Sequence, residues 1–184
     1  MSSAPAAALR TDRLDLSPLR PADAKEMVEV LSNRDLYLFT GGDPPNLGDL
    51  ESRYESQVTG PSSGEEVWHN WIIRPNDTGE AVGFVQATVT GDSSGVAWVV
   101  GVEWQGQGFA SEAAAAMCDW LAAEGVQKFT AHIHPGHLAS QRVAASLGMK
   151  ATDEIDEDGE VVWASVPSPA RRPPEVRPRE RHRP

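Results

Sequence analysis

Val96-Ala97-Trp98-Val99-Val100-Gly101-Val102-Glu103-Trp104-Gln105-Gly106-Gln107-Gly108-Phe109-Ala110-Ser111-Glu112 decides the fold of this chain. An apolar run suited to a strand passes through a glycine-bearing turn and enters an alanine-rich segment with helical spacing. The start of a helix leaves its first N–H groups without intrahelical acceptors. The aligned peptide dipoles add partial positive charge there, so a phosphate or pyrophosphate is a natural ligand of such a junction. Gly106 and Gly108 let the main chain come close to it with no Cβ in between.

Three phosphate-binding turns fit the junction to different degrees. The P-loop needs a lysine after its last glycine, and the chain has none between Lys25 and Lys128. The dinucleotide fingerprint is matched only at its first two glycines. Ser111 takes its third place, and the next strand ends in His132-Ile133-His134 rather than on an acidic residue. The pattern (Gln/Arg)-x-x-Gly-x-(Gly/Ala) is matched at every fixed position by Gln105-Gly106-Gln107-Gly108-Phe109-Ala110.

Working outward, Phe109 to Glu124 sets Ala113, Ala116, Met117, Trp120 and Leu121 on one helical face, and Gly125 stands where a helix would stop. Val96 to Val102, this helix, and Val126 to His134 form a strand-helix-strand unit, which closes as a right-handed crossover. Upstream, Thr11 to Leu19 alternates as an edge strand, Pro21 opens a helix to Ser32, and Leu50 to Val58 reads as a second short helix after the turn-rich Tyr37 to Gly48. Val67 to Arg74 and Ala81 to Thr90 read as paired strands. Downstream, Leu138 to Leu147 is a helix stopped at Gly148, and Ala151 to Ile155 with Glu160 to Val166 closes as a hairpin across an acidic turn.

The Gln105 to Ala110 run resembles the acetyl-CoA pyrophosphate loop of the GNAT N-acetyltransferases, and specifically the branch similar to ribosomal-protein N-terminal acetyltransferases. Lys128 to Met149, with Pro135, His137, Ser140 and Leu147-Gly148-Met149, resembles the strand, Pro-x-Asn-x-x-Ser turn and helix end of that family, and Leu9 to Leu19 followed by Pro21-Ala22-Asp23-Ala24 resembles its opening. The likeness spans residues 9–166. It implies a mixed α/β fold with a central, mostly antiparallel sheet of roughly six or seven strands, one parallel splayed pair, and about four flanking helices. It also implies acetyl transfer from acetyl-CoA, as cosubstrate, to a primary amine by direct attack, with no covalent enzyme intermediate and no metal.

On that resemblance Val100 and Val102 offer backbone groups to the pantetheine arm. Gln105, Gly106, Gln107, Gly108, Phe109 and Ala110 take the pyrophosphate. His137 stands where asparagine is usual and contacts the arm with one ring N–H instead of an amide pair. Ser140 caps the last helix, touches the CoA sulfur, or does both. The usual tyrosine acid is missing, since Tyr37 and Tyr54 both lie far upstream. Glu103 and His134 are the replacement proton handlers, a histidine being able to accept an ammonium proton near neutrality. Each also reads as a plain structural residue, in a solvated turn and at a strand end respectively. Tyr37, Asp43, Trp68, His69 and Trp71 are the acceptor-side candidates, with ordinary sheet-core tryptophans as the competing reading. The acceptor, a peptide N-terminus or a small amine, is selected by loops such as Thr40 to Leu50 and Ile155 to Glu160. A domain that binds acyl-CoA without turnover is the alternative.

Composition narrows the rest. The length suits one domain, expected over residues 9–166, after a flexible start at 1–8 and before a disordered Pro/Arg-rich tail at 167–184. The formal charge of −11 argues against a nucleic-acid partner and favours cationic acceptors. The tail carries six Arg and two Glu, so the rest of the chain is more acidic still. The single Cys118 sits among Ala115, Ala116, Met117 and Trp120 and reads as a packed apolar residue. No apolar run of membrane length and no signal-like start is present, so a cytoplasmic protein without membrane partner is expected; a homodimer stays open. His132, His134 and His137 have a spacing that zinc sites also use, but no fourth ligand stands nearby and the CoA arm needs that space.

Overall fold

Leu14 and Leu16 alternate with polar residues, and both are fully buried in a strand, β2 (Leu14–Pro18), that pairs antiparallel with a two-residue strand, β1 (Leu9–Arg10). The structure is a computed structural model and describes residues 6–62 and 64–165. The 167–184 tail therefore lies outside the described residues, as do residues 1–5 of the predicted flexible start. The rest of that start is tied down, because the carbonyl of Ala7 accepts the Trp71 indole N–H at 2.7 Å.

β2 is followed by the helices α1 (Ala24–Val30) and α2 (Leu47–Thr59) and then by the meander β3 (Glu66–Pro75), β4 (Gly83–Thr90) and β5 (Ser93–Val100). Next come α3 (Phe109–Ala123), β6 (Lys128–Ile133), α4 (Leu138–Ser146), β7 (Met149–Ile155) and β8 (Val161–Ser165). The strands form one sheet in the order β1-β2-β3-β4-β5-β6-β8-β7, antiparallel except for β5 with β6. Eight strands, against the six or seven expected, follow from the fold-back of Leu9–Arg10 onto β2 and from the full closing hairpin.

Several ends differ from the sequence reading. The deciding strand stops at Val100 rather than Val102, because Val102–Trp104 winds into a 3-10 turn whose Trp104 N–H bonds the Gly101 carbonyl at 2.9 Å. Gly101 is required there, since a Cβ would stand 2.8 Å from the Trp104 ring and 2.9 Å from Val30. α2 begins at Leu47, three residues earlier than expected, because the Asn46 side chain accepts the Asp49 N–H and caps the free helix end.

Each face of the sheet is covered by one helix pair. Under α3 and α4 lie Trp71, Ile73, Val85, Val96, Ala131 and Ile133 with Met117 and Leu121. Under α1 and α2 lie Ile72, Phe84 and Val99 with Met27, Leu50 and Tyr54. Each fully buried large side chain contributes about 1.5–3 kcal/mol relative to exposure. At the edge of the second core the guanidinium of Arg74 joins the buried Asp23 at 3.2 Å to Glu26 at 2.9 Å, which fixes the start of α1 against β3.

Candidate functional site

The parallel pairing of β5 with β6 lasts for three residue pairs only, Ser93 with Lys128, Ser94 with Phe129 and Gly95 with Thr130. Beyond Thr130 the strand β6 pairs with β8 and leaves β5. The edge of Val96–Val100 that faces β6 therefore has no strand neighbour, and a V-shaped gap opens between the two strands toward the Gln105 turn. Its walls carry main-chain groups that need partners.

The turn at the mouth is shaped for an anion. Gly106 and Gly108 have φ of 76° and 81°, values that a side chain would strain, and Gly108 stands at the N-cap of α3. Among the described residues no side chain caps that helix. The N–H groups of its first turn are thus left to a ligand or to water. Glu112 in the first turn would oppose a diphosphate, but it is neutralised locally. Arg13 Nε donates to Glu112 Oε2 at 2.7 Å, Arg13 Nη1 donates to the Gln107 carbonyl at 3.0 Å, and Thr11 donates to Glu112 at 2.6 Å. Desolvation acts to raise the Glu112 carboxyl, and the hydrogen bonds from Thr11 and Arg13 outweigh it, so the group is held below the usual carboxylate range. Arg13 also lies over the Phe109 ring, 5.2 Å from its centre. The sequence reading missed Arg13 because its partners lie about a hundred residues away.

Gln105 does not reach outward. Its side-chain amide donates to the Val100 carbonyl at 3.0 Å, and its own N–H bonds the Val102 carbonyl at 3.3 Å. The carbonyls of Val100 and Val102, expected to be open, are thus used to brace the turn, and the free main-chain edge lies upstream in Val96–Val99.

On the far wall, the Trp98 indole N–H donates to Ser140 Oγ at 3.3 Å, joining β5 to the first turn of α4. Ser140 is therefore not the cap of α4, which starts at His137 with no side-chain cap. His137 stacks on Phe39 with ring centres 4.6 Å apart, and Phe39 also contacts His134 at 5.4 Å. Burial, and then the neighbouring His134, push the His137 ring below the usual histidine value. The Phe39 contacts carry the 38–46 loop onto the end of β6. Tyr37 turns away, donating to the Leu31 carbonyl at 2.9 Å, while Asp43 and Glu103 stand exposed in their loops.

The predicted acceptor residues on β3 divide. His69 and Trp71 are buried on the α3 face, stacked on each other at 5.8 Å and edge-on to Trp120, so they belong to the core. Trp68 alternates to the opposite face with Asn70. There the register sets Asn70 beside Gln86 and Gln86 beside Ala97, so a polar row runs from β3 to the gap. Below it a small pocket is walled by Leu19, Leu50, Ile72 and Phe84, with the buried hydroxyl of Tyr54 unpaired among the described residues. Burial foremost pushes that hydroxyl well above the usual tyrosine value.

Of the three histidines, only His132 joins a group of metal-type donors, with Asp156 and Glu160. Both oxygens of Asp156 are already used, Oδ2 by His132 and Oδ1 by the N–H groups of Asp158 and Glu160. His134 Nδ1 accepts the Gly136 N–H at 3.0 Å. The geometry is that of a closed hydrogen-bond cluster.

Comparison with known proteins gives the family and the fold. The family described as "Acetyltransferase (GNAT) domain" matches residues 13–150. No curated protein sequence matches the chain. A GNAT-family acetyltransferase from Bacillus anthracis is similar with a TM-score of 0.73 at 16% identity, over 86% of this chain and 97% of its own. The aminoglycoside acetyltransferase AAC(6')-Ib, solved with paromomycin and acetyl-CoA, is similar with a TM-score of 0.70 at 20% identity, over 84% and 93%. A proposed ribosomal-protein-serine acetyltransferase from Vibrio cholerae gives 0.70 at 16% identity, over 89% and 99%. At these identities the likeness is one of fold.

Proposed function

The chain belongs to the GNAT acetyltransferase family, and from that premise we propose that it moves an acetyl group from acetyl-CoA to a primary amine by direct attack. One observation carries the reading: the strand pair opens after Gly95 and Thr130, and the same strand β5 leads straight into an uncapped, glycine-lined helix start. The gap suits an extended amide-bearing arm, and the helix start suits the diphosphate at its far end.

In this reading the edge amides of Val96–Val99 hold the pantetheine and a main-chain N–H polarises the thioester carbonyl as negative charge develops. Gly106, Gln107, Gly108, Phe109 and Ala110 surround the diphosphate, Gln105 and Arg13 hold the loop in shape, and His137 borders the arm. Ser140 accepts the indole N–H of Trp98, so its own hydrogen is free to point at the leaving sulfur. The acceptor enters on the α1 and α2 face, over Trp68, Asn70 and Gln86, between the 38–46 loop and the turn at 156–160. Leu38 at the start of that loop and Ile155 at the end of β7, 71% and 65% exposed, give that entrance an apolar rim, and the acidic turn draws cationic amines.

The test follows free thiol release from acetyl-CoA across a panel of peptide N-termini, polyamines and aminoglycosides. Release with a defined acceptor supports the reading. Tight CoA binding with no release from any of them favours the second reading, an acyl-CoA-binding domain without turnover, which the lack of any tyrosine after Tyr54 in the sequence supports.

A further inference from the structure

β6 carries His132 on the face turned away from α3 and is followed at once by His134, and the structure holds the two rings in opposite hydrogen patterns. His132 Nδ1 lies 2.6 Å from Asp156 Oδ2. Asp156 Oδ1 accepts the N–H of Asp158 at 3.0 Å and of Glu160 at 2.9 Å. The His132 contact foremost, with these N–H bonds, keeps the carboxyl below its usual range, so Asp156 is an acceptor only. The hydrogen of the short contact therefore sits on Nδ1, and the neutral ring keeps its lone pair on Nε2. In His134 the order is reversed. Its Nδ1 accepts the Gly136 N–H, so its Nε2 carries hydrogen and has no lone pair to offer.

We propose that His132 takes the proton of the acceptor amine and that Asp156 is its positioning residue; this rests on the transferase reading above. Position supports it independently of the tautomer. His132 stands two residues past Thr130, the last residue of β6 that pairs with β5, so it sits on the wall of the gap where that wall first parts. Its register partner on the other side is Val162. Ala97, two residues past Gly95, is the small residue across the gap, and beyond it Gln86 and Asn70 continue the same row. The His132 side chain is 48% exposed, and its Nε2 has no hydrogen-bond partner among the described residues.

The step balances without any further reagent. Nε2 of His132 takes one proton from the ammonium, and the freed nitrogen lone pair forms the new bond to the thioester carbon. The carbon–sulfur bond breaks, and the second amine proton ends on the thiolate. The charged and titratable groups gathered at this end of the sheet are His132, Asp156 and Asp158 in the turn, Glu160 just before β8 and His134 just after β6. Desolvation first, and then Asp156, raise the Glu160 carboxyl.

The test uses the full chain and the acceptor found by thiol release. His132→Gln should lower kcat/KM by about 10²-fold, with CoA affinity by calorimetry and the melting temperature unchanged. Asp156→Asn should retain part of the rate, lower kcat with the KM for the amine little changed, and alter the ring ¹⁵N pattern of His132; a purely structural role would do neither. Ring ¹⁵N spectra of the free protein should show His132 protonated at Nδ1. A wild-type rate in His132→Gln, an Nε2–H ring, or one tightly bound zinc per chain would each overturn the proposal while leaving the transferase reading intact. A wild type that binds CoA but releases no thiol would overturn both.

Discussion

The indole N–H of Trp98 donates to the hydroxyl of Ser140 at 3.3 Å, a bond that reaches from β5 to α4 beside a gap where the main chain makes no bond. It fixes which way the Ser140 hydroxyl faces. Ser140→Ala should lower kcat by roughly 10- to 100-fold and leave the CoA dissociation constant within about twofold, the split expected when a proton donor is lost and a binding group is not. Trp98→Phe keeps the ring and removes the donor, so it should show a smaller fall of the same kind. Steady-state kinetics beside calorimetry separates the two effects; an unchanged kcat in Ser140→Ala would remove that residue from the chemistry.

Gly108 has φ of 81°, and a Cβ there would come 3.4 Å from the Arg13 guanidinium. Gly108→Val adds backbone strain of about 1–2 kcal/mol and places a branched side chain where the diphosphate is expected. CoA affinity should fall by more than about tenfold, for a 1.4 kcal/mol loss already corresponds to that factor. Gly125, with φ of 105° at the end of α3 and far from the turn, serves as the control: Gly125→Ala should cost stability and spare CoA binding.

Arg13 ties the loop to β2 through Gln107 and Glu112. The pair is half-exposed, so its contribution to folding is about 0–1 kcal/mol. Its effect on the ligand should be larger, because without the guanidinium the Glu112 charge faces the diphosphate. Arg13→Ala should raise KM for acetyl-CoA severalfold with a melting point shifted by only a few degrees, and Glu112→Gln in the same chain should restore part of the affinity.

Trp71 and Trp68 lie three residues apart on one strand and should answer mutation in opposite ways. Trp71 is fully buried, so Trp71→Ala should cost about 3–5 kcal/mol in chemical denaturation. Trp68 faces the acceptor side, so Trp68→Ala should cost far less and should raise KM for the amine. Equal destabilisation by both would contradict the division of β3 between core and groove.

Acid should weaken the fold in two stages. His69 is buried, and burial foremost holds its ring below the usual histidine value, against a smaller opposing effect of Glu124. The unfolded ring takes a proton more readily than the folded one. The stability contributed by His69 is therefore present above about 6.5 and is lost as pH falls below it. Glu26 is depressed, first by its hydrogen bond from Arg74, and Glu112 by its balance of bonds over desolvation. Their contributions are present above about 4.3 and fade as pH falls through the lower folded values. Urea midpoints between pH 8 and 3 should show both declines, and His69→Phe should flatten the upper one.

Part of the site was legible from Gln105 to Ala110 alone, because a helix start with glycines at fixed places is a local object whose geometry needs no distant partner. Phe39, just before one of the two loops expected to select the acceptor, lies on His134 and His137, and Asp156 of the other lies on His132, so both segments border the end of β6. The individual side chains were harder. Sequence alternation says that Trp68 and His69 take opposite faces, but not which face is roofed by α3, and so His69 and Trp71 read as acceptor residues while they are core.

What the sequence by itself determined is the crossover unit, the glycine-bearing turn before α3 and the order of the elements, since periodicity and glycine placement act within a few residues of where they are written. Tertiary structure alone decided how far β5 and β6 stay paired, that Arg13 pairs with Glu112, and that Asp156 meets His132. Each depends on groups that meet only after the sheet has closed, Asp156 coming to His132 from 24 residues along the chain and Arg13 to Glu112 from 99. No local pattern can carry that information, because the side chains that meet are brought together by the pairing of strands rather than by their spacing.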